Sequence, residues 1–265
     1  IHRDKNKTEV IRRNIDKIKT DLDKYSNYFQ YVRTYSDYIE ARKNNKVASW
    51  ISIQGGQAVD NHISALDKIP EVHRITLIHF TKSKIGASNF DKLNENFGLS
   101  DFGKDFVQKM VENKILVDLS HINKKGFMDA LDVMPKDIPA LVTHTGVKGV
   151  FDCWRNIDDE QIKAVANRGG TIGIIYYPKY LRKDKNFCTT DDIVKHMEHV
   201  INIAGEDSVT LGSDYDGAIS LPKDFKDITY QPVLVQKMLN RKWSEQRIKK
   251  VLGLNFLRVV KEVCP

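Results

Sequence analysis

Ile115-Leu116-Val117-Asp118-Leu119-Ser120-His121 is a short, mostly apolar run that halts at a histidine. A run of that length reads as a buried strand, and five others repeat its plan. Lys46-Val47-Ala48-Ser49-Trp50-Ile51-Ser52-Ile53 halts at Gln54, Arg74-Ile75-Thr76-Leu77-Ile78 at His79, and Ala140-Leu141-Val142-Thr143 at His144. Thr171-Ile172-Gly173-Ile174-Ile175 halts at Tyr176-Tyr177, and Ser208-Val209-Thr210-Leu211-Gly212-Ser213 at Asp214. Helical stretches lie between the runs, so the strands are expected to be parallel with crossover helices. In parallel sheets and barrels, reactive groups gather at the carboxyl ends of the strands. Two histidines and an aspartate on such a rim are the raw material of a metal site. The pattern is that of an enzyme.

Composition bounds the alternatives. At 265 residues and 41% hydrophobic, the chain can bury one large core. Lys and Arg exceed Asp and Glu by 42 to 35, a formal charge of +7. The first fifty residues hold twelve of those bases against seven acids. No aromatic-basic stripe accompanies them, so they read as a solvated helical face and not as a nucleic-acid surface. There is no membrane-spanning apolar run and no signal-peptide pattern at Ile1. The compartment stays open between cytoplasm and export. Cys153, Cys188 and Cys264 lack metal-type spacing and read as reduced thiols, with a Cys153–Cys188 bridge as the alternative in an exported protein.

Helical punctuation is regular. Val10, Ile11, Ile15, Ile18, Leu22 and Tyr25 recur at three- and four-residue steps and predict an amphipathic first helix. Ser100-Asp101, Asp158-Asp159-Glu160 and Thr189-Thr190-Asp191-Asp192 predict helix starts, and Gly169-Gly170 and Gly205 predict ends. One long helix is expected from Ser244 through Val263. Neither a repeat nor a linker interrupts residues 1–265, which read as a single domain. Six strands fall two short of a closed (β/α)8 barrel. The expectation is therefore a TIM-like barrel whose first two strands precede Ile1.

The set Val117-Asp118-Leu119-Ser120-His121, Val142-Thr143-His144-Thr145, Arg155-Asn156 and Gly212-Ser213-Asp214-Tyr215-Asp216-Gly217 resembles the membrane (renal-type) dipeptidases, the M19 metallopeptidases. The resemblance runs from about Thr8 to the C-terminus. It implies a (β/α)8 barrel of metallo-dependent hydrolase type, with two zinc ions, that hydrolyses dipeptides through a metal-activated water. By the same resemblance, His121 and His144 match the histidine ligands of one zinc. Asp214 matches the carboxylate that binds the other and assists the water. His79 matches the histidine that stabilises the tetrahedral intermediate. Arg155 matches the arginine that pairs with the substrate's carboxylate, and Tyr180 (less surely Tyr177) a tyrosine of the substrate pocket. Gln54, His79, His121, His144 and Asp214 are accordingly expected in one pocket on one rim. The expected partners are a dipeptide or similar small substrate and, as an open option, a second copy of the chain in a homodimer.

Two departures from the family pattern matter chemically. The family's His-x-Asp ligand pair lies on its first barrel strand, and Ile1 falls about where its second strand ends. The family's bridging glutamate stands in Glu-Gly-Gly-His, whereas Gln54-Gly55-Gly56-Gln57 stands here. A carboxylate offers two anionic oxygens to two cations held ~4 Å apart. Glutamine offers one neutral carbonyl. At most one tightly held zinc is expected, on His121 and His144, with Gln54 or water completing the shell. A catalytically impaired relative that keeps the pocket for binding or a structural role is the alternative, and another barrel hydrolase acting on an amide or ester is a third.

Purely structural readings exist for each residue. Asp214 and Asp216 could cap the turn that ends at Gly217. Arg155 could pair with Asp152 or Asp158, and Tyr176, Tyr177 and Tyr180 could pack the rim. His196 and His199 share a helix face without a third ligand and are expected to be solvated.

Overall fold

The computed structural model describes residues 6–59 and 62–265, so the expectation about Ile1 lies outside the described residues. In chain order the elements are α1 (Lys7–Lys24), β1 (Phe29–Tyr31), α2 (Tyr35–Lys43), β2 (Val47–Ser49), β3 (Ile51–Gln54), β4 (Val72–Thr76), α3 (Asp101–Glu112), β5 (Leu116–Asp118) and α4 (Lys124–Val133). There follow β6 (Leu141–Thr145), α5 (Asp159–Ala166), β7 (Thr171–Ile175), α6 (Pro178–Leu181), α7 (Thr190–Ala204), β8 (Val209–Gly212), α8 (Gln231–Asn240), α9 (Glu245–Lys249) and α10 (Asn255–Val263). Residues up to Ile138 together with Val260–Pro265 form one compact unit, and Pro139–Val259 form a second.

In the first unit β1 pairs with β2 in parallel, and β3, β4 and β5 pair side by side, also in parallel. Register places Gln54 opposite Thr76, and Thr76 opposite Asp118. Neighbours in register project to one face of a parallel sheet, so these three mark one level at the strand ends. Phe106, Val107 and Met110 of α3 and Phe127 of α4 are buried with Ile75 and Val117. Each such side chain removed from water contributes roughly 1.5–3 kcal/mol.

In the second unit β6, β7 and β8 run parallel. All five residues of β7 are buried, as a strand covered on both faces requires. The register of β6 shifts between Val142 and Thr145: three steps on β6 match two on β7, from Ile172 to Ile174. His144 sits in this bulge. The Thr143 carbonyl fills the space that a Cβ at Gly173 or Gly212 would need, so both flanking glycines accommodate it.

The capping expectations hold. Ser100 accepts from Gly103 N, and Asp158 forms a reciprocal capping box with Gln161, as Thr189 does with Asp192. Gly205, at φ 83, ends α7. Two expectations need correction, and one strand was not expected. The Val47–Gln54 run breaks at Trp50 into two strands. Phe29–Tyr31 is a strand that its three residues and half-exposed pattern did not announce. The C-terminal helix divides into α9 and α10 across a wide turn where Gly253 leaves helical geometry. No helix among the described residues is long and apolar enough to cross a membrane. All three cysteines are free thiols.

Candidate active site

The first unit carries Gln54, His79 and His121. Gln54 ends β3 with its side chain exposed. Gly55 then turns at φ +102, a conformation that favours glycine. Gly55 N donates to Thr76 O and Gly56 N to Leu77 O, each at 3.1 Å. Gln57 Nε2 donates to His79 O at 2.9 Å. Residues 55–57 thereby stitch themselves to the segment that leads from β4 to His79. A Cβ at Gly56 would stand 2.7 Å from Ile85 Cδ1 and 3.0 Å from Leu77 O, so a side chain there would force its neighbours to shift.

His79 lies three residues beyond the end of β4, further than the apolar run implied. Its half-buried ring packs edge-on against His121 at 4.8 Å between centroids. His121 is only 5% exposed and holds a left-handed backbone, φ 69. Phe80, also left-handed at φ 54 and largely exposed, sets its ring 4.1 Å from His79 and 5.2 Å from His121. Sequence reading passed over Phe80, and its only signal was its place beside His79. It also passed over Asp118, although an acid inside an apolar run is a clear one. Asp118 is fully buried, and its carboxylate accepts from Arg74, Thr76 and Ser120.

The second unit carries His144, Arg155, Tyr180 and Asp214. His144 is 5% exposed, and its Nδ1 lies 2.9 Å from Thr143 Oγ1 in a hydrogen bond. Arg155 is 1% exposed, donates from Nη2 to His144 O at 2.6 Å, and lies 5.9 Å from the centre of the Tyr180 ring. Burial raises the Tyr180 hydroxyl pKa, and the Arg155 charge opposes that shift. Two buried groups hold this arrangement. Asn156 Nδ2 donates to Phe151 O and Tyr180 O, both at 2.8 Å, while its Oδ1 accepts from Gly146 N. His196 Nδ1 accepts from Val147 N at 2.9 Å, and its Nε2 donates to Leu181 O at 2.9 Å. The expectation of a solvated His196 is thus wrong: the ring is wholly buried. His199 is half-buried, with Nε2 2.6 Å from Asp159 Oδ1.

Asp214 follows β8 in a left-handed turn, φ 58, and is half-buried. Burial pushes its carboxyl up to about 6, and the Arg155 charge works against the shift. Gly217 N closes the turn onto Asp214 O, and a Cβ at Gly217 would stand 2.5 Å from Asp214 Oδ1. Asp216 is exposed. Asp152 reaches Lys148 at 3.9 Å, and Asp158 caps α5. Tyr176 is wholly buried, packed against Tyr215 and Phe225. Among the described residues, no group of three or more His, Cys, Asp or Glu could hold a metal ion.

Residues 2–264 match the model of the membrane dipeptidase family, peptidase family M19. The chain belongs to that family. This M19 chain is 30% identical over 251 residues to dipeptidase tcpJ of Claviceps purpurea, covering 94% of itself and 59% of that protein. It is 31% identical to the uncharacterized dipeptidase C965.12 of Schizosaccharomyces pombe, covering 96% of itself and 63% of that relative. The M19 chain thus spans about three fifths of the length of these relatives. An amidohydrolase from Pseudomonas aeruginosa superposes with a TM-score of 0.88 at 25% identity, over 97% of this chain and 85% of that one. A metallo peptidase from Rhodobacter sphaeroides, liganded with a phosphinate mimic of the dipeptide L-Ala-D-Ala, shares the fold with a TM-score of 0.81 at 24% identity, over 89% and 69%.

Proposed function

We propose that this chain hydrolyses dipeptides with one divalent cation, zinc, held by His121 and His144. The observation that carries this reading is the family match over residues 2–264, together with two nearly buried imidazoles at the strand ends of its motifs. By donor type these residues suit zinc, since neutral imidazoles and an amide carbonyl are ordinary ligands for it. The Thr143 hydroxyl beside His144 Nδ1 is the partner a ligating histidine uses to orient its other nitrogen. A second ion does not fit these residues, because Asp214 is the one carboxylate assigned to it. When bound, the cation supplies a water acidic enough to act near neutral pH.

Asp214 would take the proton from the attacking water and return it to the leaving amine. Its raised affinity for protons, about 6, suits a base working near neutrality. His79 donates to the oxyanion of the tetrahedral intermediate. Arg155 holds the terminal carboxylate with its planar fork, and Tyr180 walls the same pocket. Zinc-supplemented chain should release free amino acids from a dipeptide panel, and Asp214→Asn should cut turnover roughly 100-fold or more. Dipeptide binding with no turnover would select the second reading, a catalytically impaired relative, which the neutral Gln54 favours.

A further inference from the structure

The Asp118 carboxylate lies where no solvent reaches, and within the first unit it gathers donors from two directions. Its Oδ1 accepts from Ser120 N at 3.0 Å and from Ser120 Oγ at 2.8 Å. The bond to the amide two residues on is an Asx turn, which bends the chain immediately before His121. Its Oδ2 accepts from Arg74 Nη1 at 2.7 Å and Thr76 Oγ1 at 2.6 Å, and Leu77 N donates to the Asp118 carbonyl at 3.1 Å. Arg74 and Thr76 belong to β4, the strand that leads to His79. A buried carboxylate needs this many donors to offset its lost hydration. At least four hydrogen bonds thus converge on this one carboxylate, two from the turn before His121 and two from β4.

The turn they hold is costly. His121 keeps a left-handed backbone although it is nearly buried, a conformation that costs an L-residue about 1–2 kcal/mol. Strained backbone persists where its surroundings over-determine it and the site gains from it. We infer that Asp118 is the positioning residue of His121: one carboxylate clamps the left-handed turn that presents this imidazole and ties the turn to the strand carrying His79. This rests on the assignment of His121 as a metal ligand. A ligand held by such a clamp enters coordination already oriented, and loss of an outer partner of this kind weakens metal binding roughly 10- to 100-fold.

The test uses purified wild-type chain, Asp118→Asn, Ser120→Ala and Thr76→Val, with His121→Ala as reference. Zinc affinity is read by competition with a chromophoric chelator, the Co2+ complex by its visible spectrum, and stability by urea unfolding of the metal-free chain. Asp118→Asn should weaken zinc binding roughly 10- to 100-fold and alter the Co2+ spectrum. Thr76→Val removes a bond on the β4 side and should lower stability with the affinity within about threefold of wild type. Should Asp118→Asn fail to fold, Ser120→Ala serves instead, with a smaller loss of affinity and faster hydrogen exchange at the Ser120 and His121 amides. An unchanged affinity and Co2+ spectrum in Asp118→Asn, or in Ser120→Ala where it stands in, alongside a His121→Ala that abolishes binding, overturns the positioning role alone. Wild-type chain that binds no zinc, or binds it equally after His121→Ala, overturns the metal assignment and this role with it.

Discussion

Arg155 donates its guanidinium to the main-chain carbonyl of His144 at 2.6 Å. The residue assigned to the substrate's carboxylate and the residue assigned to the metal are thereby held by one bond within the second unit. Asn156 reinforces the arrangement by joining Gly146, two residues past His144, to the Tyr180 carbonyl. On the proposed roles, a dipeptide gripped at its terminus by Arg155 would be placed relative to His144 by the protein's own backbone.

Arg155→Lys should raise KM for dipeptides roughly ten- to hundredfold. A lysine keeps the charge but loses the planar fork, and one charge-assisted hydrogen bond is worth about 1.5–3 kcal/mol. The kinetic comparison should include a dipeptide and its C-terminal amide. Equal KM values for the two on unmutated chain would remove Arg155 from this role.

Much of this is legible in the sequence alone. Apolar runs ending at polar residues marked the strands, and Ser100, Asp158 and Thr189 announced their helices, because burial and capping are local and periodic. Phe29–Tyr31 was not legible: three residues give no period, and pairing with Val47–Ser49 is what makes them a strand. The bulge at His144 was hidden too, since it depends on the facing backbone of β7. His196 could have been read correctly. Ile193, His196, Met197 and Val200 share one helix face, and three apolar members of that face predicted burial for the fourth. The clamps by Asp118, Asn156 and His196 are tertiary, and side-chain types alone do not specify them.

Acid should destabilise the chain in a defined window. Burial pushes His196 down to about 4 and His73 down to about 3, against an ordinary value of 6.5. Each is neutral in the fold while the unfolded chain protonates. Their contribution is complete above pH 6.5 and declines as pH falls toward 4, by on the order of 2–3 kcal/mol for His196. Urea midpoints at pH 7, 6 and 5 should fall for wild type. His196→Gln should be less stable at pH 7 but show a shallower decline. A parallel decline in both proteins would show that His196 does not titrate in this way.

Gln54→Glu should strengthen zinc binding. A carboxylate there would add one negative charge to the surroundings of a divalent ion, which gains several kcal/mol at an intermediate dielectric before desolvation of the carboxylate is subtracted. A rise in affinity of roughly one to three orders of magnitude is expected by chelator competition. No change would place Gln54 away from the ion.

Gly217→Ala should lower turnover by more than it lowers stability. The added methyl would stand 2.5 Å from Asp214 Oδ1, so the carboxylate must move to accept it. A displaced base costs rate more than fold. Turnover equal to wild type, at equal zinc occupancy, would mean that the position of Asp214 is immaterial.

The number of zinc ions that metal-free chain takes up tightly is the most direct measurement, made by calorimetric titration and confirmed by elemental analysis after dialysis. One ion per chain is predicted, lost on either His121→Ala or His144→Ala. Two tightly bound ions per chain, or none, would contradict the account.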